Sequence, residues 1–165
     1  MNQKSFTLIE VMVAIFIITV GAGAAFALIR QTLFATSLLQ DRLIAAYLAQ
    51  EGIEIVKNIR DTNWLKKRSD FTIPWNNGFT NCQAPTGCEG DYNAQSLVPY
   101  QDRNLYIDSD GFYSYSPGVL TKFKRKISID EISSEKMRVL VEVKWTERGR
   151  THSFEALEHI TNWHE

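Results

Sequence analysis

Apolar and polar residues are segregated along this chain. From Val11 to Ile29 no charged residue occurs, a run of 19 that is long enough to cross the hydrocarbon core of a bilayer as a helix. Glu10 precedes the run and Arg30 follows it. Beyond Arg30 the apolar positions narrow to one face: Ile44, Leu48, Ile55 and Ile59 recur at helical spacing, while Arg42, Gln50, Glu54, Lys57 and Arg60 lie mostly off that stripe. The pattern predicts one helix from about Thr7 to Arg60, on the order of 80 Å long at the rise of an α-helix. Its first half is apolar all round and belongs in lipid or a protein bundle. Its second half is amphipathic and needs a globular body to pack along.

After Arg60 the period changes from 3.6 to 2. Between Asp61 and Tyr100, Asn76-Asn77-Gly78 and the stretch from Cys82 to Asn93 read as turns and loops. Phe123, Ile127 and Ile129 then alternate with Lys124, Lys126 and Ser128, as in a half-buried strand with a basic outer face. From Met137 to Thr146 the alternation is clearest, with Met137, Val139, Val141, Val143 and Trp145 on one side and Arg138, Glu142 and Lys144 on the other. Arg148-Gly149 supplies a tight turn, and Thr151 to Ile160 returns antiparallel with Phe154, Ala156 and Ile160 inward. The predicted fold class is α+β: a long N-terminal helix, transmembrane then amphipathic, packed on a small antiparallel β-sheet head of three or four strands, with the Ile44 to Ile59 stripe as its cover.

Composition alone hides this division. The chain has 165 residues with a formal net charge of −1, so no basic excess draws it to nucleic acid or an anionic membrane. Its 44% hydrophobic and 22% charged residues exclude a disordered tail or a collagen-like fibre. Yet residues 61–165 hold 28 of the 37 charged side chains, 13 basic and 15 acidic, so the near-neutral average belongs to a mildly acidic head. Gly21-Ala22-Gly23-Ala24-Ala25 mimics a secretory cleavage site, but a cleaved signal has no use for a helix that continues another thirty or so residues.

Glu10 ends the string Lys4-Ser5-Phe6-Thr7-Leu8-Ile9-Glu10. This string, with the apolar run after it, resembles the processing motif of type IV pilins and type II secretion pseudopilins. The resemblance implies a leader of residues 1–5, a helical stem of 6–60 whose part 11–29 spans the membrane, and a pilin-like β-rich head of 61–165. It implies cleavage by a prepilin peptidase between Ser5 and Phe6, and N-methylation of the new terminus at Phe6. Ser5 departs from the glycine usual before the cut. The resemblance also gives Glu10 a role, neutralising the positively charged terminus of a neighbouring subunit in a filament, since burying the pair is tolerable where burying one charge is not. Gly21 and Ala25 form a small-xxx-small pair suited to close helix packing, and Gly21 and Gly23 mark a point where the helix is expected to bend or partly unwind. The segment Val143 to Arg150, with Leu157, Ile160 to Trp163 and Ala49 to Glu54, is similar to PilV-like minor pilins and minor pseudopilins.

The remaining candidate chemistry is sparse. In an exported head, Cys82 and Cys88 are expected to close a small loop as a disulfide, with free thiols the alternative. Asp108-Ser109-Asp110-Gly111 resembles the opening of a calcium loop but lacks its third acidic ligand and closing Glu, so a hairpin turn is preferred; calcium is otherwise the one cofactor in view, with Asp108 and Asp110 as its weak candidates. Lys122 to Lys126 is basic, but alternation disfavours nucleic-acid contact. His152 and His159 fall on opposite strand faces, and no nucleophile elbow, zinc-protease or phosphate-loop motif occurs. The expectation is therefore no enzyme but a structural minor pilin or pseudopilin that initiates or modifies a filament. Its partners would be the prepilin peptidase, other pilin subunits, the pilus or secretion assembly machinery, and the cytoplasmic membrane before assembly, with the N-terminus cytoplasmic and the head outside. The alternatives are a single-pass anchored sensor or enzyme with an external β-rich domain, and an adhesin or DNA-binding module on a pilin stem.

Overall fold

The computed structural model describes residues 7–163. The chain opens with α1 (Leu8–Lys67), continues through a 3-10 turn at Thr80–Cys82, and then forms β1 (Cys88–Glu89), β2 (Val98–Pro99), β3 (Tyr106–Ile107), β4 (Tyr113–Ser114), β5 (Val119–Leu120), β6 (Phe123–Ser133), β7 (Lys136–Glu147) and β8 (Arg150–Thr161). It divides into two compact units at Asp41/Arg42.

Among its described residues the first unit is helix from Leu8 onward. From Thr7 to Thr36 every side chain is exposed, apolar ones included, because no other described element of this unit covers them. The helix is unbroken across Gly21 and Gly23, where the residue types predict a weak point. Intrahelical hydrogen bonds hold there because these glycines cost propensity without removing a donor.

The second unit contains the rest of α1 and two sheets, one of five strands in the order β2-β1-β6-β7-β8 and one of three in the order β4-β3-β5. The β6-β7-β8 meander is antiparallel throughout, with Ile127 opposite Val141 and Val141 opposite Ala156. Arg148 and Gly149 both take positive φ, 49° and 76°, in the two-residue turn that matches the twist of the flanking strands. Met137, Val139, Val141, Val143 and Trp145 are buried, as are Phe123, Ile127 and Ile129 on β6. Each such side chain contributes on the order of 1.5–3 kcal/mol of burial.

The sheet is covered by a stripe of small and branched residues on α1, with Ala45, Leu48, Ala49, Ile53, Val56 and Ile59 buried and Ile44 only half so. Gly52 marks the closest approach: a Cβ there would stand 2.8 Å from Val141 Cγ1 and 3.2 Å from Arg125 Cδ. Only a residue without a side chain lets the helix lie this near the sheet.

Three expectations are corrected. The helix ends at Lys67 and not at Arg60. The extra turns form because their side chains are used: Asn63 Nδ2 donates to the carbonyls of Trp75 (3.1 Å) and Asn77 (2.9 Å), and Trp64 Nε1 donates to Asn162 Oδ1 (3.0 Å). Arg60, placed by periodicity off the stripe, is buried over the Trp64 ring at 4.6 Å and bonds Asp61 at 2.9 Å. The main sheet has five strands, the extra two being β1 and β2, which pair with each other and reach β6 through Cys88 opposite Ile127.

Candidate functional site

At the start of α1 the backbone N–H of Glu10 donates to Thr7 Oγ1 (3.3 Å) and to Thr7 O (3.1 Å), and the Val11 N–H also reaches Thr7 O (3.3 Å). Thr7 is thus the N-cap and Glu10 the third helical residue, whose N–H the Thr7 hydroxyl caps. The negative charge of Glu10 sits in the first turn, where the helix dipole favours it. Thr-x-x-Glu before an apolar run is a helix-start signal in its own right, and it identifies Thr7 without any family comparison. Ser5 and Phe6, where cleavage and methylation are expected, lie outside the described residues.

The apolar segment that follows satisfies its own polar groups. Thr19 is the one hydroxyl between Val11 and Ile29, and its Oγ1 donates to Phe16 O at 2.9 Å. Thr32 and Thr36 do the same with Leu28 O and Thr32 O. Such a surface presents no unmet donor to hydrocarbon. Among the described residues one helix is long and apolar enough to cross a membrane, and none of its apolar window is buried within the chain.

The other candidate residues lie in the second unit. Cys82 and Cys88 form a disulfide with Cα atoms 4.9 Å apart, tying the 3-10 turn to β1. Asp108 and Asp110 stand in the β3–β4 hairpin. There Asp108 Oδ1 accepts the N–H groups of Asp110 and Phe112, both at 3.0 Å, and its Oδ2 accepts the Tyr92 hydroxyl at 3.1 Å. Desolvation raises the Asp108 pKa, but the donors from Phe112, Tyr92 and Asp110 outweigh it and hold the carboxyl below its ordinary value. Its oxygens already serve a turn.

The basic run is split by the sheet. Lys122 bonds Glu147 (2.7 Å), Lys124 bonds Asp102 (2.6 Å) and Lys126 bonds the Pro85 carbonyl. Arg125 points the other way and is fully buried, donating from Nη1 to Leu48 O (3.1 Å) and from Nη2 to Gly90 O (2.6 Å), with Glu51 Oε2 3.1 Å from Nη1. Periodicity missed this residue because its charge hid its phase: counted by alternation alone, it shares the inward face of Phe123 and Ile127. A second buried charge, Glu89, is met by the Arg103 guanidinium and by the Gln101 N–H. On the opposite sheet faces, His152 stacks on Trp145 at 5.5 Å while His159 is exposed opposite Arg138.

Residues 1–26 match the family model described as the prokaryotic N-terminal methylation motif. No curated protein and no solved structure matches the chain. The N-terminal segment therefore carries the processing signal of a type IV pilin-like prepilin, and the long helix on antiparallel sheets is a pilin-like architecture. That signal implies processing by a prepilin peptidase, membrane anchoring and assembly with other pilins.

Proposed function

We propose that this protein is a minor pilin or pseudopilin, cut between Ser5 and Phe6, N-methylated at Phe6, and drawn from the cytoplasmic membrane into a type IV pilus-like filament that it initiates or modifies. The observation that carries the reading is the joint occurrence of the methylation motif over residues 1–26 with an uncharged, wholly exposed helical surface directly behind Glu10. A surface of that kind leaves water only by entering lipid or by packing against equivalent helices. Glu10 is the charge that differs between those two surroundings, since in lipid it stands alone and in a filament core it meets the amino terminus of a neighbouring Phe6. The protein works by polymerising, and its head is displayed outside the membrane.

The test is mass spectrometry of the mature chain from cells that contain the peptidase, together with the Glu10→Gln variant. A methylated N-terminal Phe6 is expected, and the variant should be processed and membrane-inserted yet depleted at least tenfold from sheared filaments. A chain that keeps Met1 overturns the assignment. Normal filament incorporation of Glu10→Gln overturns the charge pairing and leaves the processing intact.

A further inference from the structure

The distal end of α1, within the second unit, carries an open groove of about 680 Å³ whose floor is apolar. Leu65, Phe71 and Trp163 line it and remain 65%, 84% and 65% exposed, and the Trp64 ring stands edge-on to Trp163 at 4.8 Å. Its rim is positive. Lys67 and Arg68 flank the floor, while the one carboxylate on the wall, Asp61, is held by Arg60. Exposed aromatic side chains gathered inside a charged rim are the composition of a docking surface.

The same unit carries a feature of opposite character. The turn Asp108 to Phe112 is acidic, ends in a Phe112 ring that is 54% exposed, and is held rigid by the bonds to Asp108 and by contact of Phe112 with Tyr92 at 4.8 Å. Tyr92 and Asn93 line a polar cleft with Asn58, Thr62 and Lys66 of α1, so the hairpin is anchored on that flank of the helix. At about 100° per residue, Asn58, Thr62 and Lys66 lie roughly a quarter-turn round the helix from Asp61, Leu65 and Arg68. Groove and hairpin therefore face different neighbours.

We propose that the groove receives the hairpin tip of a second copy of this chain, with Phe112 entering between Leu65, Phe71 and Trp163 and Asp110 meeting Lys67 and Arg68. Opposite charge and matching apolar character select this occupant from what the chain itself displays. Two complementary patches on different flanks make a heterologous contact, which links copies into rings or open filaments according to the rotation between them. The contact is a property of the second unit and stands whether or not the chain is processed at Ser5.

The experiment mixes isotopically light and heavy full-length protein in detergent micelles and applies a zero-length carboxyl-to-amine crosslinker. A light–heavy crosslink between a peptide containing Asp110 and one containing Lys67 is expected, while within-chain links stay light–light or heavy–heavy. Lys67→Glu/Arg68→Glu protein alone and Asp110→Lys protein alone should each lose the link at least tenfold, and a mixture of the two should regain it with carboxylate and amine exchanged. Phe112→Ser, which keeps every charge, should also lose it. Absence of the intermolecular link in the native protein, its persistence in either charge-reversed protein, or failure of the mixture to restore it overturns the proposal.

Discussion

Replacing Glu51 with Gln removes the carboxylate paired with the buried Arg125 guanidinium and keeps the size of the side chain. Arg125 is fully buried, and the Glu51 side chain is 30% exposed. Breaking a buried pair by removing one partner costs about 3–5 kcal/mol, and partial exposure of Glu51 screens this to roughly 2 kcal/mol. In Arg125→Met the charge leaves with its desolvation penalty. The Leu48 carbonyl is then left with its ordinary helical partner, and Gly90 O loses its donor, for a net loss of about 1 kcal/mol. The double variant has no buried charge to strand and should also lose only about 1 kcal/mol, well short of the sum. Urea or thermal unfolding of the full chain in detergent, followed by the fluorescence of the buried Trp64, Trp75 and Trp145, reads all three. Glu51→Gln should melt roughly 6–8 °C below the native protein, and adding Arg125→Met should recover about half of that. A Glu51→Gln protein that melts within a degree of native, or a double variant as unstable as the two singles combined, refutes the coupling.

Two further outcomes follow from the head. Cys82→Ser/Cys88→Ser opens a loop whose ends are six apart in sequence, and the loop-closure relation gives a loss of about 2 kcal/mol, measured by the same unfolding assay with and without reductant; equal stability of reduced and oxidised protein would count against the bond as a stabiliser. Arg138 and the Ala84 N–H hold Asp130 below its ordinary pKa, and Lys124 and Tyr100 do the same for Asp102. These groups bind protons more weakly folded than unfolded, so their stabilisation is complete above about pH 4 and is lost as pH falls through the depressed folded values. Melting temperature should drop on acidification below about pH 4, and Asp130→Asn should shallow that drop; an unchanged slope in the variant contradicts the assignment.

How much of this was legible in the sequence depends on whether a residue's surroundings are local. Met137 to Trp145 alternate so regularly that their buried face follows from spacing, and Arg148-Gly149 follows from turn chemistry. The start of α1 is equally local, written in Thr7 and Glu10. Its end is not: Asn63 and Trp64 extend the helix by bonding Trp75, Asn77 and Asn162, residues up to 98 positions away. Arg125 was opaque for the same reason, since its partners Leu48, Glu51 and Gly90 come from two distant segments. The two-residue strands from Cys88 to Leu120 are too short for any period to show. The groove beside Trp163 was invisible as well, because the residues that form it are separated by some ninety positions and meet only when β8 returns to the helix end.

Between Lys67 and Phe123 the chain follows a long path whose strands are only two residues each. It is fastened by a disulfide and by side-chain bonds such as Arg103 to Glu89, Tyr92 to Asp108, the Tyr115 N–H to Asp91 and Arg125 to Gly90. Few backbone ladders cross it, and the pairing of β6 with β7 and of β7 with β8 is made among those strands themselves. Exposed residues along this path can therefore be exchanged in evolution, or replaced by design, with little effect on the strands that carry stability, provided those fastenings and the buried Trp75, Phe79 and Leu105 remain. A head built this way separates the strands that make it fold from the exposed residues it shows to its surroundings.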